Sequence, residues 1–177
     1  QLAQRHCLRK APGSSSQIVD QLGLSVLIAD AEASPHAKAF WQHTGLGASS
    51  RRAAISLSKE PAPAKGSADQ AKAVVIERLA SIYGCDTQQL SLHPSGMAAL
   101  YTALRWVTAM RPGRPTLQIG FPYVDVLKLP QVVFTGSELL LETSNAAVEA
   151  ALDRIDPAAV IVELPSNPLL QCVDLAS

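Results

Sequence analysis

Three short stretches carry residues whose types and order suit the binding of a small polar ligand: "HPSGMAAL" (93–100), "GFPYVDVLKL" (120–129) and "VELPSNP" (162–168). Ser95, Gly96 and Met97 stand where a helical apolar pattern begins. The first amides of a helix have no intrahelical carbonyl to bond, and they sit at the positive end of its dipole. A glycine there lets a phosphate approach the backbone closely, and a serine adds a hydroxyl. The stretch is neither a Walker sequence nor a G-x-G-x-x-G. An ordinary serine N-cap accounts for it as well, and spacing alone favours that plainer reading. Tyr123 follows a Gly-Phe-Pro turn just past a short apolar run, where its ring can stack on a flat ligand or cover the edge of the core. Asn167 has prolines on both sides, which restrict the loop to extended backbone. That rigidity suits an amide that must contact a ligand, although asparagine is common in proline-rich turns without one. His43 and His93 have no carboxylate or cysteine at metal or triad spacing and read as structural. No metal site is expected.

These residues need elements to hold them. From Ser67 the pattern is regular. Ser67 and Gln70 have capping-box spacing, Val75, Ile76, Leu79, Ile82 and Tyr83 share a helical face, and Gly84 is a stop. A second helix starts near Ser95, with Met97, Leu100, Tyr101, Leu104 and Val107 on one stripe, and ends near "RPGRP". Then come a strand at 116–121, a short helix closed by Pro130, a strand at 138–142, a helix marked by Val148, Ala151, Leu152 and Ile155, and an apolar run at 158–165. That run reads as a strand covered on both faces. Alternation of this kind predicts an α/β fold with a mostly parallel sheet and helices on both faces. Ligands then bind beyond the carboxyl ends of the strands, which places all three loops on one rim.

Residues 1–66 read as an irregular N-terminal arm, with loops at "APGSSS" (11–16) and "KEPAPAKGS" (59–67). Phe40 and Trp41, in a poorly periodic stretch, are expected to pack on something outside the arm, such as a second subunit. The domain boundary is expected at residue 67, and residues 67–177 form the first part of a ligand-binding α/β domain.

Composition narrows the function classes. Fifteen basic and fifteen acidic side chains among 177 residues give no charge excess for nucleic acid or a membrane surface. No apolar run nears the ~18 residues of a membrane span. Three scattered cysteines, Cys7, Cys85 and Cys172, argue against a disulfide framework or a zinc site and for reduced, mostly buried thiols in a cytoplasmic protein.

With "PSGMAAL" (94–100), the tyrosine of "FPYVDVLKL" (121–129) and "VELPSNPLLQCVDL" (162–175), the chain resembles the pyridoxal-phosphate enzymes of cysteine and methionine metabolism. Cystathionine gamma-synthases, cystathionine lyases and O-acylhomoserine sulfhydrylases are its members. "FWQHTGLGASSRRAA" (40–54) is similar to the fungal-type cystathionine gamma-synthase branch. The resemblance implies the large domain of an aspartate-aminotransferase-like, type I fold and pyridoxal 5'-phosphate as cofactor. It implies that Gly96 and Met97 offer amides to the phosphate, with Ser95 opening the turn. Tyr123 would stack on the pyridine ring and serve as an acid/base, and Asn167 would lie near the 3-hydroxyl oxygen and the substrate carboxylate. Arg51 would keep the charge of the family's Tyr-x-Arg, with Ser49 in place of the tyrosine and Arg52 as the adjacent competitor. Asp174 matches a family aspartate read as structural.

The family's covalent lysine and its pyridine-pairing aspartate come later than "SNP", and this sequence has no lysine after Lys128. The chain is therefore expected to be part of a longer enzyme, truncated before that lysine, whose missing C-terminal part completes the site. The expected reaction is gamma-replacement on an activated homoserine by a thiol, giving cystathionine or homocysteine, in a homo-dimer or tetramer. The alternatives are a lyase or sulfhydrylase of the same family, a non-catalytic assembly module derived from it, and an unrelated nucleotide-binding domain. The last is disfavoured by the absence of a glycine-rich loop after a first strand.

Overall fold

The computed structural model describes residues 1–57, 66–170 and 172. Helix α1 (Leu2–Lys10) leads into a hairpin of β1 (Ser16–Gln21) and β2 (Leu24–Ala29), antiparallel with Gln21 opposite Leu24. Its two-residue turn, Leu22 and Gly23, has φ of 54° and 71°, the doubly left-handed geometry whose twist matches that of the strands. Next come α2 (Ser34–Thr44) and α3 (Ser50–Ser56), then α4 (Ser67–Tyr83), a 3-10 turn at Thr87–Gln89 and α5 (Gly96–Met110). The remainder alternates: β3 (Thr116–Ile119), α6 (Val124–Val133), β4 (Ser137–Leu140), α7 (Asn145–Ile155) and β5 (Ala159–Val162).

The expected α/β alternation is present from residue 67 onward. Strand order is β4-β3-β5, with β3 parallel to both neighbours. Consecutive parallel crossovers that run in opposite directions along the sheet must, for right-handed connections, place their helices on opposite faces. The side chains follow that rule. Leu117 and Ile119 pack with Ala151 of α7, whereas Gln118, between them in β3, turns toward α6. The larger core is Phe40, Tyr101, Leu104, Leu129 and Val133, with Ala159 and Ile161 of β5 packed against it.

The differences from the sequence reading have physical causes. The strand buried on both faces is β3, all four residues of which are buried, because it is central. β5 lies at an edge and alternates, leaving Val160 and Val162 exposed. Pro130 does not close α6 but sits inside it. Proline lacks the N–H that would reach the carbonyl four residues back. Gln118 supplies the missing donor: its Nε2 donates to the Val126 carbonyl at 3.3 Å and to that of Leu127 at 3.2 Å. Helix α4 is capped by Gly66 at φ 83° and not by a Ser67–Gln70 box. Gly84 does end it, in the left-handed conformation. The face expected to be apolar on α4 is largely exposed at Val75, Ile82 and Tyr83.

The N-terminal region is not an irregular arm. Residues 1–57 hold α1, the hairpin, α2 and α3. Phe40 packs within this chain, edge-on to Tyr101 with ring centroids 5.7 Å apart, while Trp41 remains exposed. Cys7 is buried, Cys85 half-buried and Cys172 exposed, all as free thiols. Burial pushes the Cys7 thiol up. Among the described residues no helix is long and apolar enough to cross a membrane, and no group of side chains could hold a metal ion. Most of "KEPAPAKGS" and Asp174 lie outside the described residues.

Candidate functional site

Ser95 is the N-cap of α5. Its backbone is extended, and its Oγ accepts from the Ala98 amide at 3.1 Å. The Ala99 amide reaches the Ser95 carbonyl. Those two bonds leave the amides of Gly96 and Met97 at the helix start, beyond reach of any helix carbonyl. The Ser95 hydroxyl, used as an acceptor, still has its own proton to donate. A Cβ added at Gly96 would meet nothing within 4 Å, so the backbone here opens on free space. This is the geometry in which an anion can approach two amide donors.

The opposite side of the same helix start is closed. Gly45, the C-cap of α2, has φ 63°. A Cβ built on it would fall 2.4 Å from Ser95 Oγ and 3.1 Å from both the Ala98 amide nitrogen and Met97 Cβ. Only a glycine lets the end of α2 press this closely on the start of α5. Two residues earlier, His43 reaches the other helix. Its Nδ1 donates to Asp125 Oδ1 at 2.9 Å, with both groups shielded from solvent. Because a carboxylate only accepts, the bond fixes the ring proton on Nδ1. Asp125 lies in the first turn of α6, where a carboxylate also complements the helix dipole.

Tyr123 is the N-cap of α6, and the residue is 42% exposed. It leaves β3 through Gly120, whose φ is 76°, and through buried Pro122. The Tyr123 amide donates to Glu163 Oε2 at 2.6 Å, tying this turn to the end of β5. A hydrogen bond to the Asp125 carboxylate, together with its negative charge, raises the Tyr123 phenol above its ordinary value. Two residues past β5, the chain passes through cis bonds at Leu164–Pro165 and Asn167–Pro168. Ser166 is buried and Asn167 exposed.

The rim is therefore partly as expected. The loops after β3 and β5 lie at parallel strand ends and are linked through Glu163. "HPSG" does not follow a strand; it enters α5 from the non-strand segment 90–93 and joins the rim through α2. Arg51 lies exposed on α3, and Arg52 donates to the Gly23 carbonyl at 3.3 Å in the hairpin turn. His93 pairs with Ser91 at 3.0 Å, in keeping with a structural role. His43, read as lacking a carboxylate, has one from 82 residues away. Sequence spacing could not reveal Asp125 or Glu163 as partners of the rim.

The residues present fit a phosphate-bearing planar group. The amides of Gly96 and Met97 lack helix partners beside the open space at Gly96, and Tyr123 and Asn167 are exposed at neighbouring strand ends.

The chain is 35% identical over 135 residues to the L-2-amino-4-chloropent-4-enoate dechlorinase/desaturase of Streptantibioticus cattleyicolor, covering 71% of this chain and 25% of that protein. It is 29% identical over 143 residues to the cystathionine gamma-synthase of Neurospora crassa, covering 75% and 23% respectively. A cystathionine gamma-synthase-like enzyme of Amanita muscaria is 25% identical, covering 92% and 38%. The chain thus spans about a quarter of the length of the first two of these relatives. It matches no family model and no solved structure.

Two outcomes follow from the geometry. Gly45→Ala places a methyl group against Ser95 and forces a positive φ on alanine, so unfolding free energy should fall by about 1–3 kcal/mol in denaturant titration. Asp125→Asn removes the acceptor charge beside Tyr123. The phenol of Tyr123, followed by NMR of ring-labelled tyrosine, should then deprotonate at lower pH than in the unsubstituted protein. An unchanged titration would show that Asp125 does not act on the phenol.

Proposed function

Because the chain belongs to the cystathionine gamma-synthase-like family of pyridoxal-phosphate enzymes, we propose that its two helix N-termini form the phosphate- and ring-binding edge of the cofactor site of an aspartate-aminotransferase-like large domain. The observation that carries this reading is the start of α5, where the space beside Gly96 is open, the Gly96 and Met97 amides have no helix partner and the other side is closed by Gly45.

In this reading Gly96 and Met97 bind phosphate oxygens through their amides, and the Ser95 hydroxyl donates a third hydrogen bond. The exposed face of Tyr123 lies against the pyridine ring. Asp125, itself held by His43, keeps the phenol protonated and fixes its direction, so that Tyr123 can hold or deliver a proton beside the substrate. The Asn167 amide serves the ring oxygen and the substrate carboxylate, and Arg51 adds positive charge toward the phosphate of a neighbouring copy in a homo-oligomer. When bound, the cofactor supplies an electron sink for charge developing at the substrate's alpha carbon. The lysine and aspartate that complete such a site lie, on this reading, outside these 177 residues.

The reaction proposed is gamma-replacement: an activated homoserine loses its gamma leaving group and gains a thiol sulfur, giving cystathionine from cysteine, or homocysteine from sulfide. A second reading is elimination without thiol capture. It is favoured by the likeness to a protein named as a dechlorinase/desaturase.

Gly96→Val in the intact enzyme should leave the fold unchanged, since the Cβ space is open, but should fill the phosphate approach. Loss of one or two charge-assisted hydrogen bonds predicts a fall of roughly tenfold or more in pyridoxal-phosphate affinity, read by equilibrium titration of the cofactor-free protein. Unchanged affinity would remove Gly96 from the site. Supplied with an activated homoserine and cysteine, the wild-type enzyme should form cystathionine. An oxo acid and ammonia with no thiol consumed would establish elimination instead.

A further inference from the structure

At the other ends of α5 and α6, away from that rim, lies a cavity of about 430 Å³. Helix α1 contributes Arg5, His6 and Arg9 to it, and α5 contributes Tyr101 and Arg105. Its walls are aromatic. His6 stands 5.4 Å from the ring of Phe40, and Tyr101 packs on Phe134 with centroids 5.6 Å apart. The volume falls in the range of small-molecule pockets, which combine apolar walls with a few convergent polar groups.

Two observations define the chemistry of the cavity. The first is charge. Arg5, Arg9 and Arg105 all line it, and no carboxylate does. Among the described residues none of the three forms an ion pair. Arg105 lies over the Tyr101 ring at 5.9 Å, and Arg9 spends one nitrogen on the Val133 carbonyl at 2.7 Å. Three guanidinium groups gathered without a counter-charge repel one another, and their fork geometry matches a carboxylate.

The second observation is His6, which is only 3% exposed. Arg9 Nη2 lies 3.3 Å from its Nδ1, and a guanidinium can only donate. Nδ1 is therefore the acceptor, and the ring proton sits on Nε2, which is buried without a partner. Burial first, then the charges of Arg9, Lys10 and His36, lower the His6 pKa to about 4, so the ring is neutral at pH 7. That N–H is sealed from solvent, so the neutral ring serves as cavity wall and not as a donor presented to the cavity.

We propose that this cavity binds a small organic anion, a carboxylate on a compact aromatic or apolar body, with its oxygens among Arg5, Arg9 and Arg105 and its body against Phe40, Tyr101 and Phe134. The site is independent of the cofactor reading, since none of its residues belongs to the rim at Ser95 and Tyr123.

The test is calorimetric titration of the intact natural protein with phenylacetate, with its neutral isostere phenylacetamide, and with inorganic phosphate. Phenylacetate should bind saturably and at least tenfold more tightly than either of the others. Arg5→Gln combined with Arg105→Gln should weaken it tenfold or more. Both side chains are exposed, so far-UV circular dichroism and the thermal midpoint should stay as in the wild type. Bound phenylacetate offsets the cations that depress His6, so the His6 imidazole signal should titrate at higher pH with ligand than without. Equal binding of phenylacetamide, or undiminished binding by the double variant, would overturn the charge-based site. Phosphate binding as tightly as phenylacetate would overturn the apolar component, and an unmoved His6 titration would overturn the location. Absence of saturation would overturn the proposal entirely.

Discussion

The candidate rim depends on how α2 ends. Within three residues that helix delivers His43 to Asp125 at the start of α6 and Gly45 to Ser95 at the start of α5. Two helix N-termini, each with unpaired amides and positive dipole ends, are thereby held side by side. Neither contact tolerates much displacement. The imidazole is buried and bonded, and the glycine has no Cβ because there is no room for one. A rigid first turn matters for anion binding, since amides already aligned need no reorganisation when the ligand arrives.

A second constraint holds the sheet to the same helices. Pro130 deprives α6 of one internal hydrogen bond, and Gln118 of the central strand provides a replacement from its side chain. A polar residue in the middle of a fully buried strand is otherwise unfavourable. Here it is the link by which β3 fixes the axial position of α6. That in turn sets where Tyr123 emerges. The Glu163 carboxylate, accepting from the Tyr123 amide, adds the tie from β5.

The order of elements from residue 67, the parallel sheet and the N-cap at Ser95 were legible because each rests on local periodicity or a short-range bond. The core role of Phe40 was not. Its surroundings lack a clean helical repeat, and only tertiary contact with Tyr101, Leu104 and Leu129 shows that α2 belongs to the main core. β5 was read as doubly covered from its apolar run, but an edge strand and a central strand of the same composition differ only in their neighbours. For the site, Gly96 and Tyr123 stood out by residue type and position. His43, Asp125, Glu163 and Gly45 act through partners 40 to 82 residues distant or through a close approach, and no sequence spacing encodes either.

The same physics accounts for charge at both ends of α5 and α6, with one difference. At the N-termini the positive potential is that of the backbone, and at the start of α6 Asp125 and Glu163 partly answer it. At the far ends the backbone presents carbonyls, which attract cations, and Arg9 meets that demand by donating to Val133. One guanidinium is thus explained by the helix it caps. Arg5 and Arg105 cap nothing, and Arg105 holds its place over an aromatic ring beside the cavity. Helix-end electrostatics therefore accounts for the first cation of the cluster and leaves the other two in excess. That excess, set beside the aromatic wall of His6, Phe40 and Tyr101, is what the proposed anion would offset.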